Sequence, residues 1–251
     1  MSAPTPLSPK DAARVARRAL TLLDLTDLGE NATEAGARAL SQAARASGVA
    51  ALCVWPRFVP ASAEALAGSG VRVATVVNFP SGEEAIEQVV RDTRDTLRAG
   101  ADEIDLVLPY RALMRGEAER ARAMVVALRE ACGDRLLKVI LETGVLEEPD
   151  LIARASRLAL EAGADFLKTS TGKTPVSATL PAAEVMLDAI RRAERPAGLK
   201  VSGGLRRVED AAAYLALADR IMGPGWATPN SFRIGASAHH AELVRAAESD
   251  I

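Results

Sequence analysis

Five lysines stand against 26 arginines in this 251-residue chain, and the imbalance isolates a chemistry. An ammonium that is buried or set beside another cation can lose its proton, whereas a guanidinium cannot. A chain that uses Arg almost everywhere yet keeps Lys10, Lys138, Lys168, Lys173 and Lys200 has use for a deprotonatable amine. Such amines add to carbonyls to form Schiff bases, or they move protons. Three of the five lie in short apolar runs, LLKVILE (136–142), DFLKT (165–169) and LKVSG (199–203), and two acids lie likewise in TLLDLT (21–26) and EIDLVL (103–108).

Side chains alternate along a strand, so the apolar residues of each run fix where its polar ones point. With Leu23 and Leu25 outward, Asp24 and Thr26 face in. With Ile104, Leu106 and Leu108 outward, Asp105 faces in. The same phase turns Lys138 and Glu142, Lys168, and Lys200 inward. A lone strand-borne Lys or Asp is more often an ion-paired structural residue. Three lysines and two aspartates converging in matching phase read instead as a site for covalent carbonyl chemistry or proton transfer. Lys138 is the least distinctive, because a salt bridge to Asp105 or Glu142 would account for it.

The elements that must hold these residues recur every 25 to 35 residues. Besides the five runs above, VAALCVW (49–55), VRVATVV (71–77) and SFRIGAS (231–237) are β-like, and Ala/Arg/Glu-rich helical stretches separate all eight. Near-continuous apolar strands alternating with helices indicate a parallel sheet covered on both faces. Eight such units within roughly 250 residues predict one α/β domain over residues 1–251, a closed (β/α)8 barrel of the TIM type with a short helix before the first strand. Barrel sites lie at the C-terminal ends of the strands, and the last βα turns often bind phosphate. Here those turns are GKTP (172–175), SGG (202–204) and GAS (235–237), whose backbone N–H groups and Lys173 suit a phosphorylated substrate. GKT is not a P-loop, since Leu167 stands where its upstream glycine is required.

The remaining features exclude more than they add. A net charge of −2 and 3% aromatic residues give neither a basic field nor stacking platforms for nucleic acid. The N-terminus lacks a signal-peptide pattern and no apolar run reaches the roughly 20 residues of a membrane span, so a soluble, cytoplasmic protein with no membrane partner is expected. Cys53 and Cys132 form no disulfide framework, and Cys53 reads as core. His239 and His240 lack partners at metal spacing and are expected at the surface. No metal is expected at these residues.

The segments VVNFPSG (76–82), GADEIDLVLPYRAL (100–113), LLKVILETG (136–144), AGADFLKTSTGK (162–173), LKVSGG (199–204) and FRIGAS (232–237) resemble the signature segments of the deoxyribose-phosphate aldolases, which are class I aldolases. The resemblance runs in register from about residue 20 to residue 240. It implies reversible cleavage of 2-deoxy-D-ribose 5-phosphate to D-glyceraldehyde 3-phosphate and acetaldehyde, by a homodimer or homotetramer that needs neither a metal nor an organic cofactor. It also implies Lys168 as the Schiff-base lysine, Asp105 as a proton-transfer residue and Lys200 as the second lysine. Lys138 would extend the charge network, Asp24 and Thr26 would approach substrate hydroxyls, and Thr171, Gly172, Lys173, Gly203, Gly204, Gly235 and Ser237 would hold the phosphate end.

Two departures stand out. Some members have a second serine where this chain has Ala238, and some end in a Tyr that assists proton transfer where this chain ends ESDI. One phosphate hydroxyl and that tail contribution are therefore expected to be missing or supplied otherwise. The alternatives are another Schiff-base aldolase for a different phosphosugar, a phosphosugar isomerase or metal-dependent aldolase, and a non-catalytic sugar-phosphate binding barrel. The isomerase or metal enzyme would need His on the strands, where none occurs. The binding barrel would have no use for intact Asp105, Lys168 and Lys200.

Overall fold

A computed structural model of the protein describes residues 7–249; both ends of the domain expected over residues 1–251, including the last two residues of ESDI, lie outside the described residues. In chain order the elements are α1 (Pro9–Thr21), β1 (Leu23–Asp27), α2 (Glu34–Ser47), β2 (Ala51–Val54), α3 (Val59–Leu66), β3 (Arg72–Val77), α4 (Ile86–Arg98), β4 (Glu103–Val107), α5 (Tyr110–Met114), α6 (Ala118–Cys132), β5 (Leu136–Ile140), α7 (Thr143–Leu146), α8 (Pro149–Glu161), β6 (Phe166–Lys168), α9 (Leu180–Arg191), β7 (Gly198–Ser202), α10 (Val208–Met222), β8 (Phe232–Ala236) and α11 (His239–Glu248). The strands pair in parallel, each with its chain neighbour, and β8 returns to β1 to close the barrel. Each of the eight β-like runs is a strand, and α1 is the helix expected before the first.

Local chemistry sets the helix ends. Ser8, Thr33 and Thr179 cap α1, α2 and α9 by accepting the backbone N–H groups of Asp11, Gly36 and Ala182. Helix α2 stops at Gly48, whose φ of 61° is a left-handed C-cap. Helix α1 packs along α10 and α11 through Ala13, Ala16 and Ala19, and Arg18 grips Asp219 of α10 with two contacts of 2.8 Å. No helix among the described residues is long and apolar enough to cross a membrane.

Two packed zones result. Between strands and helices lie Ile104, Leu106, Leu137, Val139, Leu167, Leu199 and Ile234, all fully buried. Inside the barrel the occupants divide by sector. Strands β2 and β3 contribute Ala51, Cys53, Ala74 and Val76, while β1 and β4 to β8 contribute Asp24, Glu103, Asp105, Lys138, Phe166, Lys168, Lys200 and Arg233, none more than 3% exposed. The ring of Phe166 fills the space left by Gly198, the residue it pairs with in register.

Candidate active site

Strand register assembles the charged sector. Asp105 pairs with Lys138, Lys168 with Lys200, and Lys200 with Arg233, and paired residues on one face of a sheet are direct neighbours. The five residues expected to converge do so. Asp105 is the hub: its Oδ1 accepts from Lys138 Nζ at 2.8 Å, and its Oδ2 accepts from Lys168 Nζ and Lys200 Nζ, each at 2.8 Å. Asp24 stands one layer back, with Oδ2 in ionic contact with Lys200 Nζ at 2.6 Å and Oδ1 accepting from Arg233 at 2.6 Å.

Two members of this cluster, Glu103 and Arg233, are not among the residues expected at the site. Glu103 meets Lys138 at 2.6 Å and Arg233 at 2.9 Å. The alternation that selects Asp105 selects Glu103 two residues earlier, and it places Arg233 inward between Phe232 and Ile234. The salt bridge considered for Lys138 is present toward Asp105 but not toward Glu142, which makes a different set of contacts.

The partner count separates the lysines. Lys138 has three carboxylates, with Asp24 at 3.6 Å the most distant, and Lys200 has two. Lys168 has Asp105 alone, and shares it. For Lys138, burial disfavours the charge, but Asp105, Glu103 and Asp24 outweigh it and raise the pKa above the ordinary lysine value. Lys200 is likewise raised, burial being outweighed by Asp105 and Asp24. For Lys168 the balance reverses. Burial, reinforced by the Lys200 ammonium, lowers its pKa against the pull of Asp105 and a smaller one from Cys53. Asp105 is held well below the carboxylate range because the three lysines overcome its burial. Burial raises the Cys53 thiol, which keeps it neutral beside them. Of the three lysines, Lys168 is therefore the one whose surroundings favour loss of its proton, beside Lys200 and Asp105 whose charges their partners stabilise.

At the C-terminal ends of β5 and β6, Glu142 adopts a left-handed backbone with φ of 58° and is fully buried. Its carboxylate accepts Thr171 Oγ1 at 2.5 Å and Thr171 N at 3.2 Å, and also Thr174 Oγ1 at 3.3 Å. It thus clamps the loop carrying Gly172 and Lys173. Gly172 and Gly203 have positive φ of 78° and 85°, and a Cβ on Gly203 would stand 2.5 Å from Ser177 and 3.3 Å from Gly172 Cα. The two loops touch there, and a side chain would part them. Gly204 and Ser237 are exposed beside them, while Lys173 Nζ reaches across to donate to Leu28 O at 2.7 Å. Gly235 lies within β8, where a Cβ would come 2.9 Å from Lys200 Cε, so its bareness makes room for that lysine. Thr26 is half-buried, donating to the carbonyl of Asp24 at 2.8 Å.

The expectation for the histidines needs correction. His239 is fully buried, close to the Glu242 and Asp210 charges, and burial lowers its pKa. It opens α11 directly after the β8 turn, so the chain must bring it inward to pack that helix. Its partly buried neighbour His240 hydrogen-bonds Ser47 at 2.8 Å. Cys53 is buried as expected, facing the barrel interior. Among the described residues no three His, Cys, Asp or Glu come together in a way that could hold a metal ion.

A family model described as DeoC/LacD family aldolase matches residues 15–237. The chain belongs to the DeoC/LacD aldolase family. It is therefore a carbon–carbon lyase on a TIM barrel. A curated deoxyribose-phosphate aldolase from Agrobacterium fabrum is 50% identical over 234 residues, 91% of this chain and 89% of that protein. An apo crystal structure assigned as a deoxyribose-phosphate aldolase from Toxoplasma gondii ME49 superimposes with a TM-score of 0.89 at 28% identity, over 96% of this chain and 99% of that one. A tetrameric deoxyribose phosphate aldolase from Aeropyrum pernix shares the fold with a TM-score of 0.78 at 21% identity, over 98% of this chain and 100% of that one. In this aldolase a second ion cluster, Arg129, Asp165 and Arg195, lines a cleft of about 840 Å³ near the starts of β5 and β6, away from the lysines.

Proposed function

We propose that this aldolase cleaves 2-deoxy-D-ribose 5-phosphate reversibly to D-glyceraldehyde 3-phosphate and acetaldehyde, with Lys168 as the Schiff-base amine. The observation that carries the reading is the placement of Lys168, the buried lysine whose single carboxylate partner, Asp105, is shared with Lys138 and Lys200. Lys168 Nζ adds to the aldehyde carbon of the open-chain sugar, and the carbinolamine loses water to give an iminium. A base takes the proton of the C3 hydroxyl, the C2–C3 bond breaks, and its electron pair moves into the iminium as an enamine. Glyceraldehyde 3-phosphate leaves. Protonation of the enamine carbon and hydrolysis then release acetaldehyde and restore the amine.

Asp105, 2.8 Å from the amine, holds the water that relays these protons, and the Lys200 ammonium keeps Lys168 unprotonated. Lys138 fixes the other oxygen of Asp105. Gly172, Lys173, Gly203, Gly204 and Ser237, with the backbone of Gly235, meet the phosphate, and Thr171 carries their loop on Glu142. Thr26 meets a substrate hydroxyl, while Asp24, with both oxygens already engaged, acts through Lys200. Self-assembly into a dimer or tetramer belongs to the same reading and is supported by the tetrameric relative. Borohydride added with acetaldehyde should inactivate the enzyme irreversibly and add one reduced two-carbon unit to the peptide containing Lys168. Label on another lysine, or none, would overturn the assignment.

A further inference from the structure

The ion-paired charges of the interior reach balance with one residue to spare; the buried Glu142 carboxylate is outside that set, bonded to Thr171 and Thr174 instead. Three carboxylates, Asp24, Glu103 and Asp105, face four cations, Lys138, Lys168, Lys200 and Arg233. The set is neutral only when one cation is discharged. Arg233 cannot discharge, and Lys138 and Lys200 each contact at least two carboxylates. Lys168 is left. Glu103 and Arg233 complete the account from below: their side chains pair at 2.9 Å, Arg233 also donates to Pro229 O at 2.5 Å and lies 5.8 Å from the centre of the Phe166 ring, and each grips one anchor of the layer above, Lys138 or Asp24.

Building on Lys168 as the Schiff-base amine, we propose that Glu103 and Arg233 are positioning residues which, without contacting substrate, set the proton occupancy of Lys168 through the charge balance of the barrel interior. The groups around Lys168 are Asp105 from β4, Lys200 from β7 and Cys53 from β2. Lys138 on β5, Asp24 on β1, Arg233 on β8 and Glu103 on β4 stand behind them. Strand β3 turns Ala74 and Val76 inward and adds no charge. Removing the negative charge of Glu103 frees Lys138 to lean on Asp105 and leaves the interior one positive charge in excess, so protonating Lys168 becomes harder. Removing the positive charge of Arg233 leaves a negative excess that a protonated Lys168 would cancel, so protonation becomes easier. The two changes must therefore act in opposite directions.

The test is the acid limb of the pH profile of kcat/KM, read beside the pH dependence of cyanoborohydride trapping of acetaldehyde on Lys168. Glu103→Gln should move both midpoints down by about one pH unit, and Arg233→Gln should move both up by about one unit. The double variant should return to within about half a unit of the parent. Arg233→Lys, which keeps the charge and changes the shape, should keep the midpoint whatever it costs in rate. Shifts of the same sign, no shift in either single variant, or a shift in Arg233→Lys equal to that of Arg233→Gln would overturn the proposal. Should Arg233→Gln fail to fold, Glu103→Gln decides on its own sign. If the parent itself fails to label at Lys168, it is the assignment of Lys168 as the Schiff-base amine that falls.

Discussion

Asp105, in the middle of β4, and Asp165, just before β6, are each bound by several cations, and they do different things. Asp165 accepts from Arg129 at 2.6 Å and from the backbone N–H of Leu137 at 2.8 Å, with Arg195 at 3.4 Å. The side chains of that cluster are 24 to 40% exposed, and its cations are arginines that keep their protons. Asp105 holds three lysines, none more than 3% exposed. Water screens the first cluster and its protons are fixed, so it ties the start of β5 to α6 and to the α9–β7 turn. The second is buried, and there a surplus cation has an alternative to remaining charged. Removal of the amine from Asp105's cluster should therefore end the chemistry outright. Lys168→Arg keeps a cation in place and removes the nucleophile, so the rate of cleavage should fall about 10⁴-fold or more with no borohydride label. Residual activity within about tenfold of the parent would show that the nucleophile lies elsewhere.

A smaller effect separates Lys200 from Lys168. Lys200→Met removes the ammonium next to the amine and leaves Asp105 and Asp24 with less to compensate them. Both changes raise the Lys168 pKa. The free amine appears as pH rises through that pKa, so the acid limb of kcat/KM should move up by about one unit, with up to roughly tenfold loss near neutral pH that is recovered at higher pH. Inorganic phosphate should still inhibit at unchanged concentration, because the phosphate loops are intact. A pH-independent loss would assign Lys200 a role other than tuning Lys168.

Strand alternation carries most of what the amino-acid sequence reveals about this interior. Ile104, Leu106, Leu137, Val139 and Leu199 fix the phase, and Asp24, Asp105, Lys138, Lys168 and Lys200 follow from it. Glu103 and Arg233 obey the same alternation, yet nothing in their own segments distinguishes them from the many other Glu and Arg of the chain; pairing across β1, β4, β5 and β8 gives them partners. Glu142 is legible as inward-facing, but its hold on Thr171 depends on a left-handed φ that strand periodicity cannot supply. His239 defies its pattern because a histidine pair opening a helix resembles a solvated face, and the closeness of α10 and the β8 turn buries it. Gly235 shows the limit of motif reasoning: within a glycine-bearing phosphate turn, its missing side chain also serves Lys200.

The smallest catalytic effect should come from the Asp165 cluster, which lines a cleft away from the lysines. Asp165→Asn leaves Arg129 and Arg195 without their anion and replaces one acceptor of the Leu137 amide by a neutral oxygen. Hydrogen bonds to a charged group are worth about 1.5–3 kcal/mol each, and partial exposure discounts that toward the lower end. A loss of about 1–2 kcal/mol in a chain of this length lowers Tm by a few degrees, roughly 2–6 °C. Rate, KM and acid limb should stay within about twofold of the parent, since no residue of that cluster touches the lysines and the interior charge count is unchanged. A changed acid limb in Asp165→Asn would mean that the two clusters communicate through β5 and β6, and that the proton on Lys168 depends on more than the charges inside the barrel.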